Sequence, residues 1–211
     1  MRHHHNHHRP IQPTFEELLA KVRDLPEGYR GQILDGAVHV CEPPCAARAH
    51  TLGELSATLM AGSPLGDPAP ASWTFLSNAE LAVGVDGLIS ADIAGFRRSQ
   101  DELAREASPI RHAPSWVCEV LGDGARGFTR TVKRKAYAEL GVSYLWLADP
   151  DARVLEVFQN QRGRWLLLAA LSDELNVAPP PFEDLHFDAI DLWLPAPRIK
   201  TPSVPPSARR H

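Results

Sequence analysis

Apolar and polar positions along this chain follow two periods, and the switches between them mark out the elements. Thr14-Phe-Glu-Glu17 has the Thr-x-x-Glu spacing of a capping box, and Leu18, Leu19 and Val22 follow at helical spacing. A helix is therefore expected over residues 14–24, closed by Pro26, Glu27 and Gly28. Gln32-Ile-Leu-Asp35-Gly36-Ala-Val-His-Val40 sets two β-prone runs around an Asp-Gly. That dipeptide takes the positive φ of a tight turn, so a hairpin is expected. After Pro43 and Pro44, residues 46–61 carry Ala49, Leu52, Leu55 and Leu59 on one face, the pattern of an amphipathic helix. Residues 62–72, rich in Pro, Gly and Ala, read as a loop.

The second half is β-rich around one further helix. Extended pieces are expected at 73–76 and 80–85, then a turn at Asp86-Gly87 and an apolar run, Leu88-Ile-Ser-Ala-Asp92-Ile-Ala-Gly-Phe96, with a carboxylate embedded in it. The charged segment 97–113 reads as a solvated loop with a helical turn. Trp116-Val-Cys-Glu119-Val-Leu121 reads as a strand. Phe128, Val132, Ala136 and Leu140 recur every four residues, the buried face of a helix that Gly141 ends. Strands are expected at 142–148, 153–159 and 165–171, the last two joined by an Asn-Gln-Arg-Gly turn, and a short apolar element at 189–194. The fold class this defines is α/β: a central mixed sheet carrying Asp92 and Glu119, flanked by the helices that begin near Thr14, Ala46 and Phe128.

Composition sets bounds on this picture. With 211 residues, 44% hydrophobic and 23% charged, one domain is expected over residues 14–194, between a His-rich start (1–13) and a Pro-rich basic tail (195–211). The tail has four Lys or Arg, five prolines and no acid, so it buries too little to fold. Five histidines in the first eight residues are either a tag remnant or a native start. The formal charge of −4 speaks against wholesale electrostatic binding of nucleic acid but leaves room for a local basic patch. Cys41 and Cys45 are spaced C-x-x-x-C, yet no second pair completes four zinc ligands, so reduced thiols are the plainer reading. No apolar run reaches bilayer length and the start lacks a secretory apolar core, so a cytoplasmic protein without a membrane partner is expected.

The chemistry-bearing residues are Asp92, Glu119 and Lys133. A carboxylate in a β-type apolar run is costly unless it is paired or holds a cation. Two such carboxylates and a nearby lysine are the parts that metal-assisted phosphodiester hydrolysis requires. Each has a plainer reading. An isolated Asp in such a run often meets a backbone amide. Lys133 is one of four basic residues with Arg130, Arg134 and Lys135, all of which could face solvent. Lys133 and Tyr137, four residues apart, share a helix face.

These residues resemble the Uma-type putative restriction endonuclease family, part of the PD-(D/E)XK nuclease superfamily. The likeness runs from Thr14 to about Leu194. It rests on Pro114, Glu119-Val120-Leu121, Lys133-x-x-x-Tyr137, Gly141-Val142, Leu145-Trp146-Leu147 and Asp149-Pro150, with Ala91-Asp92 upstream at the family's Pro-Asp motif. His50 matches the family's helix-opening histidine. The resemblance implies a restriction-endonuclease-like fold and a Mg²⁺-dependent endonuclease acting on DNA, with Mn²⁺ as a substitute ion. It further implies that Asp92 and Glu119 are the metal ligands, Lys133 the catalytic cation, and Gln32, His50 and Tyr137 supporting residues. A homodimer is also suggested.

The superfamily's lysine usually stands two residues after the Glu, where this chain has Leu121, so the resemblance moves that role to Lys133. Gln32 and Thr129 stand where the family commonly has acids, and Gly122-Asp123-Gly124 replaces Ser-Pro-Ser. Losing two acids weakens cation affinity, which keeps a second expectation open: a catalytically weakened nuclease fold serving as a nucleic-acid-binding or assembly module.

Overall fold

The computed structural model describes residues 13–61, 73–97, 108–122, 124 and 126–195. The expectations for the His-rich start, the 62–72 loop, most of the charged segment after Arg97 and the tail from 196 onward lie outside these residues.

The first helix, α1 (Phe15–Arg23), opens on a complete capping box: Glu17 N–H donates to Thr14 Oγ1, and Thr14 N–H donates to the Glu17 carboxylate. Leu18 buries against Ile33 and Leu88. The hairpin β1 (Arg30–Leu34) and β2 (Ala37–Cys41) turns on Asp35 and Gly36, both at positive φ as a two-residue turn of this hand requires. Gly31 is needed for another reason. A Cβ there would lie 2.6 Å from Val22 Cγ2, so α1 can approach β1 only over a glycine. Helix α2 (Ala46–Ala61) follows, burying Thr51, Leu55 and Leu59.

In place of the two extended pieces expected around residue 78 there is one strand, β3 (Thr74–Val83). Asn78 takes a positive φ within it, a conformation Asn tolerates, and the ladder to β4 (Gly87–Phe96) resumes on either side. Then come β5 (Trp116–Val120), a helix α3 over residues 126–140, β6 (Tyr144–Asp149), β7 (Val154–Gln161), β8 (Arg164–Leu171) and a 3₁₀ turn (Ala189–Leu192). Strands β5 and β6 are parallel, with α3 as their crossover; the other pairings are antiparallel. Alternation along β5 and β6 sorts side chains onto the two sheet faces. Val117, Leu145 and Leu147 face the α3 side with Ala136 and Tyr137. Trp116, Cys118, Val120 and Trp146 face the α2 side with Leu55, Leu59 and Phe182.

Helix α3 differs from its expected stripe. It runs as a turn at Arg126–Phe128, a π-turn at Thr129–Lys133 and an α-helical part at Arg134–Leu140. Arg134 N–H reaches back five residues to the Thr129 carbonyl, and this wide turn brings Thr129, Lys133 and Tyr137 inward. Phe128, Val132 and Leu140 remain half-buried at the core margin. Gly141 ends the helix at φ 84°, as expected.

The sheet order is β2-β1-β4-β5-β6-β7-β8, with β3 paired to β4 off this path. Leu88 pairs both Ile33 of β1 and Ala82 of β3, and Ile93 pairs both Cys118 of β5 and Ser77 of β3. β3 therefore takes one whole edge of β4, and β1 and β5 divide the other. Between Leu88 and Ile93 that second edge has no strand partner among the described residues, and the sheet forks.

The base of the crossover is held by Asp149, whose carboxylate accepts from Arg126 and from Ala152 N–H and lies 3.5 Å from Arg130. Burial pushes this carboxyl up, but the Ala152 amide and Arg126 outweigh it and hold it below its ordinary value of 3.8. A lowered carboxyl pKa gives stability that is present above the unfolded value and lost as pH falls through the folded one. Asp149→Asn should therefore cost about 1–3 kcal/mol at neutral pH. In urea melts of both proteins, the gap should close on acidification below pH 3.8.

Candidate active site

The fork in the sheet is where the charged residues converge. Asp92 of β4 and Glu119 of β5 are each 2% exposed and line one pocket with Gln32 of β1 and Lys133 of α3. Two carboxylates cannot be buried there without compensation, and each has its own. The Glu119 carboxylate receives Lys133 Nζ at 2.6 Å and the Tyr137 hydroxyl. Lys133 Nζ also donates to the Ser90 carbonyl at 2.7 Å, on the strand that the fork exposes. Lys133 is 3% exposed, so the solvated reading fails for it, while Lys135 beside it stays exposed.

Asp92 is compensated from α2 and β1. Arg48 Nη2 lies 2.6 and 2.7 Å from the two Asp92 oxygens, and Arg30 Nη2 lies 3.2 Å from one of them. Val120 N–H donates to Asp92 Oδ2 at 2.8 Å, so the backbone-amide reading of this aspartate holds as well. Arg48 Nε donates to the Val120 carbonyl at 2.7 Å. Arg30 also donates to Asn78, which links the positive-φ residue of β3 to the same network.

Of the supporting residues, Gln32 and Tyr137 come to the site and His50 does not. Gln32 is 2% exposed; its Nε2 donates to Cys41 Sγ, and its Oε1 has no partner among the described residues. His50 lies in a separate pocket with Ile190 and Trp193, its Nδ1 4.0 Å from Glu54. The reason is geometric: residues two apart on a helix face different ways, and Arg48 takes the inward direction. Arg48 and Arg30 escaped sequence reasoning because nothing in their local spacing sets them apart from solvated arginines. The signal that was available lay in Asp92 itself, a buried acid in need of a cation.

Burial pushes the Glu119 carboxyl above its ordinary value of 4.5; Lys133 pulls it down and Asp92 pushes it up, and burial prevails. Burial foremost, then the Glu119 charge, drives the Tyr137 hydroxyl well above its usual range. Burial does the same to the Cys118 thiol on the opposite face of β5. Among the described residues no group of three or more His, Cys, Asp or Glu side chains gathers to hold a metal. A cation here would draw on the two carboxylates with neutral oxygens, the Val120 carbonyl and Gln32 Oε1.

The architecture is restriction-endonuclease-like. A solved structure titled a putative nuclease belonging to DUF820, from Anabaena variabilis, matches with a TM-score of 0.61 at 20% identity, covering 85% of this chain and 97% of that one. Residues 13–191 match the Uma2 family, described as "Putative restriction endonuclease", and the chain belongs to it. No curated protein sequence matches the chain. Among the described residues no helix is long and apolar enough to cross a membrane.

Since its carboxyl pKa is raised, Glu119 favours folding below the ordinary value of 4.5, an advantage lost as pH rises through the folded value. Lys133 offsets that loss. With divalent ions chelated, Lys133→Met should cost about 3–5 kcal/mol at neutral pH, because a buried carboxylate loses its partner. Urea melts should show the deficit shrinking on acidification, and Lys133→Met/Glu119→Gln should recover most of it.

Proposed function

We propose that this protein is a divalent-metal-dependent endonuclease that hydrolyses phosphodiester bonds of DNA. The observation that carries the reading is the convergence of Asp92, Glu119 and Lys133, from two strands and a helix, on one pocket at the fork. Membership of the Uma2 family supports the nuclease class.

The donors are hard oxygens, which suit Mg²⁺ with Mn²⁺ as substitute. Asp92 and Glu119 would hold the ion, and the unpartnered Gln32 Oε1 fits as a neutral donor. A bound divalent ion supplies Lewis-acid charge and makes water a stronger nucleophile at neutral pH. The protein's own part is positioning and electrostatics. Lys133, tethered by Glu119 and the Ser90 carbonyl, keeps its ammonium within the pocket, where negative charge grows on the phosphate in the transition state. Tyr137 fixes the Glu119 carboxylate from the buried side. Arg30 and Arg48 add positive charge around Asp92, suited to a phosphate backbone.

One observation favours a second reading, the catalytically weakened binding module. Gln32 and Thr129 bring neutral groups to a pocket where acids would strengthen cation binding. Supercoiled plasmid incubated with the protein and Mg²⁺ or Mn²⁺ separates the two. An endonuclease should nick and linearise it, and Asp92→Asn, Glu119→Gln and Lys133→Met should each slow this by about 10²–10³-fold. Cleavage undiminished in all three variants sinks the assignment. No cleavage with either ion, together with DNA binding that weakens steeply with salt, would favour the module.

A further inference from the structure

We propose that the Arg48 guanidinium occupies the cation seat of this pocket, so that a divalent ion and Arg48 exchange for one another on the same oxygens. The inference deepens the metal-dependent reading and rests on it.

Arg48 faces three oxygens at once. Its Nη2 lies 2.6 Å from Asp92 Oδ1 and 2.7 Å from Oδ2, and its Nε lies 2.7 Å from the Val120 carbonyl. The Asp92 oxygens meet Nη2 and the Val120 carbonyl meets the neighbouring Nε. A carboxylate and a neutral carbonyl along one guanidinium edge are hard oxygens of the kind a divalent ion takes. A guanidinium presents its donors in a rigid plane and keeps its charge at every working pH, so it fills such a seat without a proton change. Both Asp92 oxygens are engaged by it, and Arg30 and the Val120 amide take what remains of the carboxylate.

Charge makes joint occupancy costly. Arg30, Arg48 and Lys133 already face Asp92 and Glu119 in the pocket, with Glu42 exposed at its rim. Two further positive charges beside Arg48, in a largely buried site, would repel it. Arg48 can leave: its side chain is 13% exposed, and its stem passes over a glycine. A Cβ on Gly122 would lie 3.1 Å from Arg48 Cδ and 3.7 Å from its Nε. The chain thus keeps room at Gly122 for the arginine stem. Displacement by the ion frees a tethered guanidinium beside the seat, where a nucleic-acid phosphate is the anion at hand.

Mn²⁺ binding to the full chain, followed by the electron paramagnetic resonance of the free ion, tests this in four proteins. Asp92→Asn keeps the His-rich start and sets its background. Arg48→Met should bind Mn²⁺ about tenfold or more tightly than the parent, because the competitor is gone. Gly122→Ala leaves every charge in place and, among the described residues, crowds only the arginine stem, so it should shift affinity in the same direction by a smaller factor. It also answers the question should Arg48→Met fail to fold. In the unmodified protein, Mg²⁺ should move the Arg48 Nε–H resonance, identified by its absence from Arg48→Met.

If Arg48→Met and Gly122→Ala bind Mn²⁺ no better than the parent while Asp92→Asn loses it, the exchange is refuted and the metal reading survives. Equal Mn²⁺ binding in all four proteins, Asp92→Asn included, refutes both.

Discussion

Everything at the site depends on two strands sharing one edge of a third. Because β3 covers the far edge of β4, β1 and β5 must divide the near one, and neither reaches residues 89–92. A gap in a buried sheet would normally leave orphaned backbone groups, at a cost of about 1–3 kcal/mol each. Here charged side chains fill it. Lys133 takes the Ser90 carbonyl, the Asp92 carboxylate takes the Val120 amide, and Arg48 takes the Val120 carbonyl. The backbone cost of the fork and the desolvation cost of the charges thus offset each other. A conventional ladder at this point would remove the pocket, and an apolar filling would leave the backbone polar groups unmet.

That coupling explains why much of the fold was legible in the sequence and part of the site was not. The capping box at Thr14, the Asp-Gly turn, and the strand–helix–strand run ending at Asp149 rest on local chemistry, and local chemistry decided them. Asp92 and Glu119 could be chosen because a charge is conspicuous in an apolar run, whereas Lys133, one of four clustered basic residues, is singled out by the family resemblance. Long-range and conformational features were hidden. Asn78 looks like a strand end, and only the pairing of β3 with β4 shows that the strand passes through it. The α3 stripe, read with an α-helical period, selects Val132; the π-turn widens the helix there and turns Lys133 inward. Arg48 sits two residues from His50, so attention to the histidine pointed at the wrong face of α2.

Gln32 and Thr129 belong to one electrostatic arrangement with the charged residues of the pocket. With acids at positions 32 and 129 beside Asp92 and Glu119, four carboxylates would face Arg30, Arg48 and Lys133, an excess of negative charge that calls for an added cation. With Gln32 and Thr129 in their place, the two buried carboxylates face three cations, and Glu42 at the exposed rim brings the lining into balance. Such a pocket is stable without an ion, since Arg48 and Lys133 already neutralise both buried acids. The neutral residues at 32 and 129 and the arginine on Asp92 therefore push the same way. They hold the cation seat with a side chain and lower its demand for a divalent ion, while Asp92, Glu119 and Lys133 remain together in the pocket. Once freed from Asp92 the guanidinium needs an anion to accept it, and a phosphodiester backbone meets that requirement.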